Sequence, residues 1–287
     1  MLTITFLGTS AGVPTTERGQ PSVAISYGDV YLFDCGEGTQ RQMMNYGTGY
    51  GSVKHIFLTH LHLDHYLGIF GLVETLKMQG LKGLNVYGPG IRRLKFDRSV
   101  TAHEVDGEFA FNDKKSGLKV TAFPTEHEVA SFGYVVESEP IRKFHEQKAK
   151  SLGILGILFR EIQTKGELEI KGKTIKLDDV SYIKPGKKIV IVGDSLPCKS
   201  TIEAAKGADL LIHESTFDAT LRDEAKARLH SACTDAAEVA KKAGVKRLVI
   251  THISPRYNEG ALLKKQAAEI FPETEVAYDG MKIEMNI

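Results

Sequence analysis

Six consecutive residues, His60-Leu61-His62-Leu63-Asp64-His65, put four side chains of metal-ligand type at the end of an apolar, β-branched run over 53–59. A pattern with helical spacing follows directly, over 67–79. In an extended segment His60 and His62, two residues apart, point to the same side, whereas Asp64 and His65 lie where the loop turns into the helix and reach a second ion. The spacing therefore fits two adjacent metal centres better than one tetrahedral site. A single histidine after a strand is readily explained as a satisfied core side chain. Three with an aspartate at this spacing are not, so the fold has to bring further ligands from elsewhere to this loop.

Three other positions directly follow β-type runs: His127 in PTEH after 119–123, Asp194 in GDS after 188–192, and His252 in THISPRY after 247–251. Loops at strand ends are where open sheets gather catalytic side chains, so convergence on the first loop is geometrically reasonable. Further β-type runs occupy 3–7, 23–27, 30–33, 84–87, 133–136, 210–213 and 275–277, and helical patterns occupy 201–206, 234–243 and 259–270. The mixture predicts an α/β protein, with sheet sandwiched by helices. Its 287 residues, 42% hydrophobic and 25% charged, are consistent with one large layered domain and exclude a disordered, collagen-like or disulfide-scaffold chain. Cys35, Cys198 and Cys233 form no CxxC pair, which argues against a thiolate zinc site. No apolar run approaches the roughly 18 residues that span a bilayer, and MLTITFLGTSAGVP lacks the features of a signal peptide. The expectation is a soluble cytoplasmic protein with no membrane partner.

The net charge of +1 conceals an uneven distribution. Residues 142–188 carry net +6, and the rest of the chain is net acidic. Without other evidence a lysine-rich stretch is a solvated surface; it gains meaning if the chemistry elsewhere acts on phosphates. The interval from about 144 to 186 has weak periodicity and reads as an inserted hairpin or arm. Its apolar run LGILGILF, 152–159, is unusual for an arm unless something packs on it.

The blocks LGTSAGVP (7–14), FDCGEGTQRQM (33–43), LTHLHLDH (58–65), PTEH, GDS, HEST (213–216), LHS (229–231) and THISPRY follow one another in the order and spacing of a known family. The chain resembles the ribonuclease Z family, tRNA 3′-processing endonucleases of the metallo-β-lactamase superfamily, from its first strand nearly to its last. The resemblance implies an αββα sandwich, one domain over 1–287 with an RNA-binding arm inserted at about 144–186. It implies two Zn2+ per subunit, one held by His60, His62, His127 and Asp194, the other by Asp64, His65, Asp194 and His252, with Asp194 bridging. Imidazoles and carboxylates suit zinc, and the same set accepts Mn2+ or Fe2+. Asp64 would accept a proton from the attacking water, and Glu214 and His230 resemble the family's acid pair, with His230 donating to the leaving ribose oxygen. The implied substrate is precursor tRNA and the implied assembly a homodimer, with no other protein partner evident. Lys165, Lys171, Lys173 and Lys176 are the candidate phosphate contacts of the arm, and Arg18 that of the first loop.

Two stretches depart from the family. LGILGILF has no Gly-Pro step, and the loop that in relatives reads PxKxRN here reads Pro14-Thr15-Thr16-Glu17-Arg18-Gly19, keeping only the proline and the arginine. Two other readings stay open at this stage: a small-molecule phosphodiesterase or other hydrolase using the same metals, and a non-catalytic RNA-binding scaffold. The first has no use for a lysine-rich insertion, and the second predicts eroded ligand positions, whereas all seven carry metal-binding side chains. Asp34 could accept a hydrogen bond from a ligating imidazole.

Overall fold

Side-chain alternation along the early strands decides the layering. The computed structural model describes residues 1–257 and 259–287. One sheet contains β1 (Leu2–Gly8), β2 (Ser22–Tyr27), β3 (Asp29–Phe33), β4 (Val53–Phe57), β5 (Leu84–Gly88) and β6 (Val100–Glu104) in that order, and the last strand, β18 (Lys282–Met285), pairs on the free edge of β1. The register pairs Leu32 with Ile56 and Ile56 with Val86, and places Phe33 beside Phe57 and Phe57 beside Tyr87. The aliphatic set faces outward, onto the helices Thr39–Tyr46 and Gly68–Met78, burying Met43, Ile69, Leu72, Val73 and Leu76. Burial of each such side chain stabilises the fold by about 1.5–3 kcal/mol.

The aromatic set faces the second sheet, where Tyr134 packs against Phe33 and Phe57 at centroid distances of 5.8 and 5.6 Å. That sheet comprises β7 (Ala110–Asp113), β8 (Leu118–Pro124), β9 (Phe132–Ser138), β14 (Lys188–Val192), β15 (Leu210–Glu214), β16 (Leu248–Thr251) and β17 (Thr274–Val276), in the order β17-β16-β15-β14-β9-β8-β7. Its outer face packs on the helices Lys199–Ala205, Cys233–Ala243 and Ala261–Ala268 through Ala205, Ala236, Ala240, Leu263 and Ala267. The layers are thus helix, sheet, sheet, helix. Strands β3 to β6 run parallel, as do β14 to β17, so several loops leave each sheet at one edge.

Sequence reading misses β6, β7, β18 and the helix Thr39–Tyr46. The strand VTAHE is only half covered, and the helix buries just Thr39 and Met43, so neither shows the period of a well-buried element.

Residues 138–187 form a compact unit of their own. It holds two antiparallel pairs, β10 (Ile141–Phe144) with β13 (Ser181–Lys184) and β11 (Glu167–Ile170) with β12 (Lys173–Lys176), and three short helices, Glu146–Ser151, Leu158–Lys165 and Leu177–Val180. Ala149, Ile154, Ile162, Leu168, Ile175 and Val180 make its core, with Leu158 and Phe159 packed against them. The run LGILGILF therefore serves the insertion's own core in part, while Leu155 and Ile157 stay 58% and 79% exposed.

Candidate metal centre

Strand β4 ends at Phe57 and delivers Thr59 and His60 into the interior, both fully buried. A short helix, Leu63–Tyr66, then turns Asp64 and His65 toward the same point. His127 arrives after β8, Asp194 after β14 and His252 after β16. The seven expected ligands meet here in two sets. His60, His62, His127 and Asp194 form one and Asp64, His65 and His252 the other, the ligand atoms within each lying no more than 4.8 Å apart.

Four of the five clustered imidazoles are aimed by the nitrogen that does not face the centre. His65 Nδ1 bonds Asp34 Oδ2 at 2.8 Å, His127 Nδ1 bonds the Leu229 carbonyl at 3.0 Å, and His60 and His252 Nδ1 meet the hydroxyls of Thr59 and Thr216 at 3.0 and 2.9 Å. Their Nε2 atoms are left for the pocket. Only His62 presents Nδ1, 3.0 Å from His60 Nε2 and 3.3 Å from His127 Nε2. Outer contacts of this kind fix the tautomer and orientation of metal-binding histidines.

Asp194 divides its carboxylate between the sets. Oδ2 lies 3.8 and 4.0 Å from the Nε2 atoms of His60 and His127, while Oδ1 lies 3.4 and 3.1 Å from those of His65 and His252. A tetrahedral ion with bonds of about 2.0–2.1 Å has ligand–ligand edges of about 3.4 Å. The observed spacings bracket that value. His65 Nε2, Asp194 Oδ1 and His252 Nε2 are buried without hydrogen-bond partners. Leaving such atoms unpaired is costly, and a divalent cation satisfies all three at once. The residues present therefore fit a pair of metal ions. Burial disfavours the Asp194 carboxylate, but the surrounding His252, His65 and His60 hold it well below the usual carboxylate range.

Backbone strain concentrates at the same place. Asp34, Leu229 and His252 have φ of 58°, 57° and 56° without being glycine. Such conformations persist where surrounding contacts enforce them. Asp34 also accepts from Thr59 N at 2.8 Å, tying β4 to the His65 ring. Asp34→Ala is expected to weaken metal affinity about 10–100-fold while the fold survives, as read by chelator competition. Gly193, just before Asp194, leaves no room for a side chain, since an added Cβ would stand 2.7–3.0 Å from atoms of Thr59. Gly193→Ala should cost about 1–3 kcal/mol in denaturant unfolding, because Thr59 is buried and cannot yield freely.

Beside the metal residues, His230 Nδ1 meets Glu214 Oε1 at 2.9 Å and its Nε2 points toward Asp194 Oδ2, 3.9 Å away. Glu214 is fully buried and accepts from the backbone N–H groups of Ser195, Thr216 and Ser231 and from the Thr216 hydroxyl. Burial works against charge on His230, but the adjacent Glu214 outweighs it and pushes the imidazole up to about 9. Glu214 thus favours the protonated form of His230, whose Nε2 faces the centre.

Arg18 requires a correction. Expected at an RNA surface, it is 6% exposed, and its guanidinium donates to Thr9 Oγ1 and the Ala277 carbonyl, both at 2.7 Å. Thr9, Gly19 and Gln42 in turn donate to Asp279. This arginine anchors the first loop to the C-terminal segment, and the loop's Gly12 N–H reaches Asp64 Oδ2 at 3.2 Å. Lys171, Lys173 and Lys176 are exposed, whereas Lys165 is exposed but paired with Glu161 at 2.6 Å. Thr59 and Thr216, unassigned from sequence, prove to contact four imidazoles, those of His60, His65, His230 and His252. The only hint of them is position, each next to or near a ligand at a strand end.

Comparison with known proteins adds the family. The tRNase Z endonuclease pattern matches residues 10–68. The chain is 43% identical to Ribonuclease Z of Archaeoglobus fulgidus, covering 98% of this chain and 97% of that one. It is 39% identical to Ribonuclease Z of Myxococcus xanthus, covering 99% and 98%. Among solved structures, human tRNase Z, short form, superposes with a TM-score of 0.69 at 28% identity, over 99% of this chain and 100% of that one. The metallo-β-lactamase fold protein YhfI of Bacillus subtilis superposes with a TM-score of 0.75 at 20% identity, over 99% and 100%, a likeness of fold. With relatives this similar over nearly their whole length, the chain belongs to the ribonuclease Z family and has the metallo-β-lactamase fold.

Proposed function

We propose that this chain, a tRNA 3′-processing endonuclease by family, cuts precursor tRNA with the help of two divalent cations, most consistent with zinc, which His60, His62, His127, Asp64, His65, His252 and Asp194 would hold. The observation that carries the reading is the placement of the buried Asp194 carboxylate between two clusters of side chains able to bind metal. When bound, such cations make water a nucleophile near neutral pH and draw charge from the scissile phosphate. Asp64, held by Gly12 N–H, takes up the proton of the attacking water. His230, oriented by Glu214 through Nδ1, gives its Nε2 proton to the departing O3′ as the P–O3′ bond breaks. The products are a 3′-hydroxyl on the tRNA and a 5′-phosphate on the trailer. In the declined alternative, a small-ester hydrolase, the basic insertion has no purpose.

We place the arm's RNA contact on Lys171, Lys173 and Lys176, with Lys165 on the adjoining helix. The homodimer and cytoplasmic location rest on the family likeness. Among the described residues no helix is long and apolar enough to cross a membrane. The test is cleavage of a 3′-extended precursor tRNA by purified protein, abolished by chelation and restored by Zn2+. Failure to restore a single cut with any divalent cation sinks the reading.

The insertion is separable. Glu137 and Lys188 are paired neighbours on β9 and β14, so a two-residue Asn-Gly turn can replace 138–187. That variant should retain metal and bind precursor tRNA at least about tenfold more weakly, with a shallower salt dependence. Unchanged affinity removes the insertion from substrate binding.

A further inference from the structure

Outside the metal centre, the helical stretch that follows the ligand loop carries an apolar face left open to solvent. Leu63, Leu67 and Phe70, spaced as one helical face, are 61%, 43% and 40% exposed. The segment 91–98 runs beside it. Gly90 lies between Leu61 and Arg93, each 3.7 Å from where a Gly90 Cβ would stand; Phe96 stacks on Phe70 at 5.7 Å and 25°; and Asp97 pairs with Lys77 at 2.5 Å. Arg92, Arg93, Lys95 and Arg98 are all exposed on this segment, and among the described residues none makes an ion pair. The nearby acids are already engaged: Asp97 and Glu74 by Lys77, and Glu104 by the Gly90 N–H. A strip starting at Leu63, beside the ligands His62 and Asp64, and ending near Lys77 is about 21 Å long at the helical rise.

Apolar and aromatic side chains interleaved with unpaired cations suit a single nucleic-acid strand, whose bases stack while its phosphates meet arginine and lysine. A second copy of this chain docked on the same face would match the apolar side chains but bring the same cations against one another, whereas a strand supplies the phosphates they lack. We propose that this strip is a track for single-stranded RNA, receiving the 3′ trailer where it leaves the cut. The inference rests on the endonuclease reading and adds a contact independent of the inserted unit.

The test compares two precursor tRNAs, one with a single-nucleotide trailer and one with an unstructured trailer of about 12 nucleotides, a length within the range of single-strand sites. The Arg92→Glu, Arg93→Glu double variant should raise KM about tenfold more for the long trailer than for the short one. It should also flatten the salt slope of long-trailer binding by about 1.4, two phosphate contacts at about 0.7 each. Phe70→Ala should produce the same selective rise in KM, with Phe70→Trp restoring the wild-type ratio. Equal effects on both substrates, or none, overturn the track. A change of sedimentation coefficient with an unaltered trailer-length ratio also overturns it, assigning the face to a second copy of the chain. Should the wild-type protein cut neither substrate, it is the endonuclease reading that fails.

Discussion

Asp194→Asn is expected to lower kcat/KM on precursor tRNA by at least about 10³-fold and to reduce bound metal, because one side chain serves both ligand sets. The amide keeps the volume but replaces one oxygen with an N–H2 group facing imidazole nitrogens that lie 3.1–4.0 Å from the carboxylate. Those imidazoles then lose the anion that balances a cation among them, in a position 3% exposed where water cannot substitute. Metal ions contribute several kcal/mol of transition-state stabilisation, and each 1.36 kcal/mol is tenfold in rate, which gives the expected magnitude. Elemental analysis read alongside kinetics checks it. A variant with full metal content and activity within tenfold of wild type would show that Asp194 does not bridge.

The second large effect separates proton donation from structure. His230→Ala should lower kcat for precursor tRNA by about 10²–10⁴-fold, the usual contribution of a positioned general acid. The loss should shrink to less than about tenfold on bis(p-nitrophenyl) phosphate, whose leaving group departs without a proton. Glu214→Gln should fall between wild type and His230→Ala on RNA, since the ring keeps a hydrogen-bond partner but loses the charge that holds its proton. Equal losses on RNA and on the activated ester would reduce His230 to a packing role.

That the loop at 60–65 and His127, Asp194 and His252 would gather could be anticipated from the chain because each follows an apolar run, where the strand's own periodicity marks the sheet edge, while their division into two sets was implied only by the family resemblance. Alternation along β3, β4 and β5 likewise carries the layering, one face aliphatic and the other aromatic. Arg18 could not be read in this way. A surface-loop arginine in a basic-binding motif and a buried arginine bonded to Thr9 and Ala277 look the same in sequence, because the partner lies 259 residues away. Thr59 and Thr216 escaped for a related reason, their hydroxyls acquiring a role only once Asp34, His65 and His252 stand beside them.

The insertion shows the same division. Its lysine excess marks a basic segment, but weak periodicity hid a unit with its own core, since short helices and two-strand pairs bury too few side chains to print a pattern. The linear order of residues determined which chemical groups were available and which strand ends would present them. Folding alone decided which nitrogen of each imidazole faces inward, how the Asp194 oxygens are placed and which cations are left without an ion pair. Those outcomes depend on contacts between segments far apart in the chain, and local propensity carries no information about them.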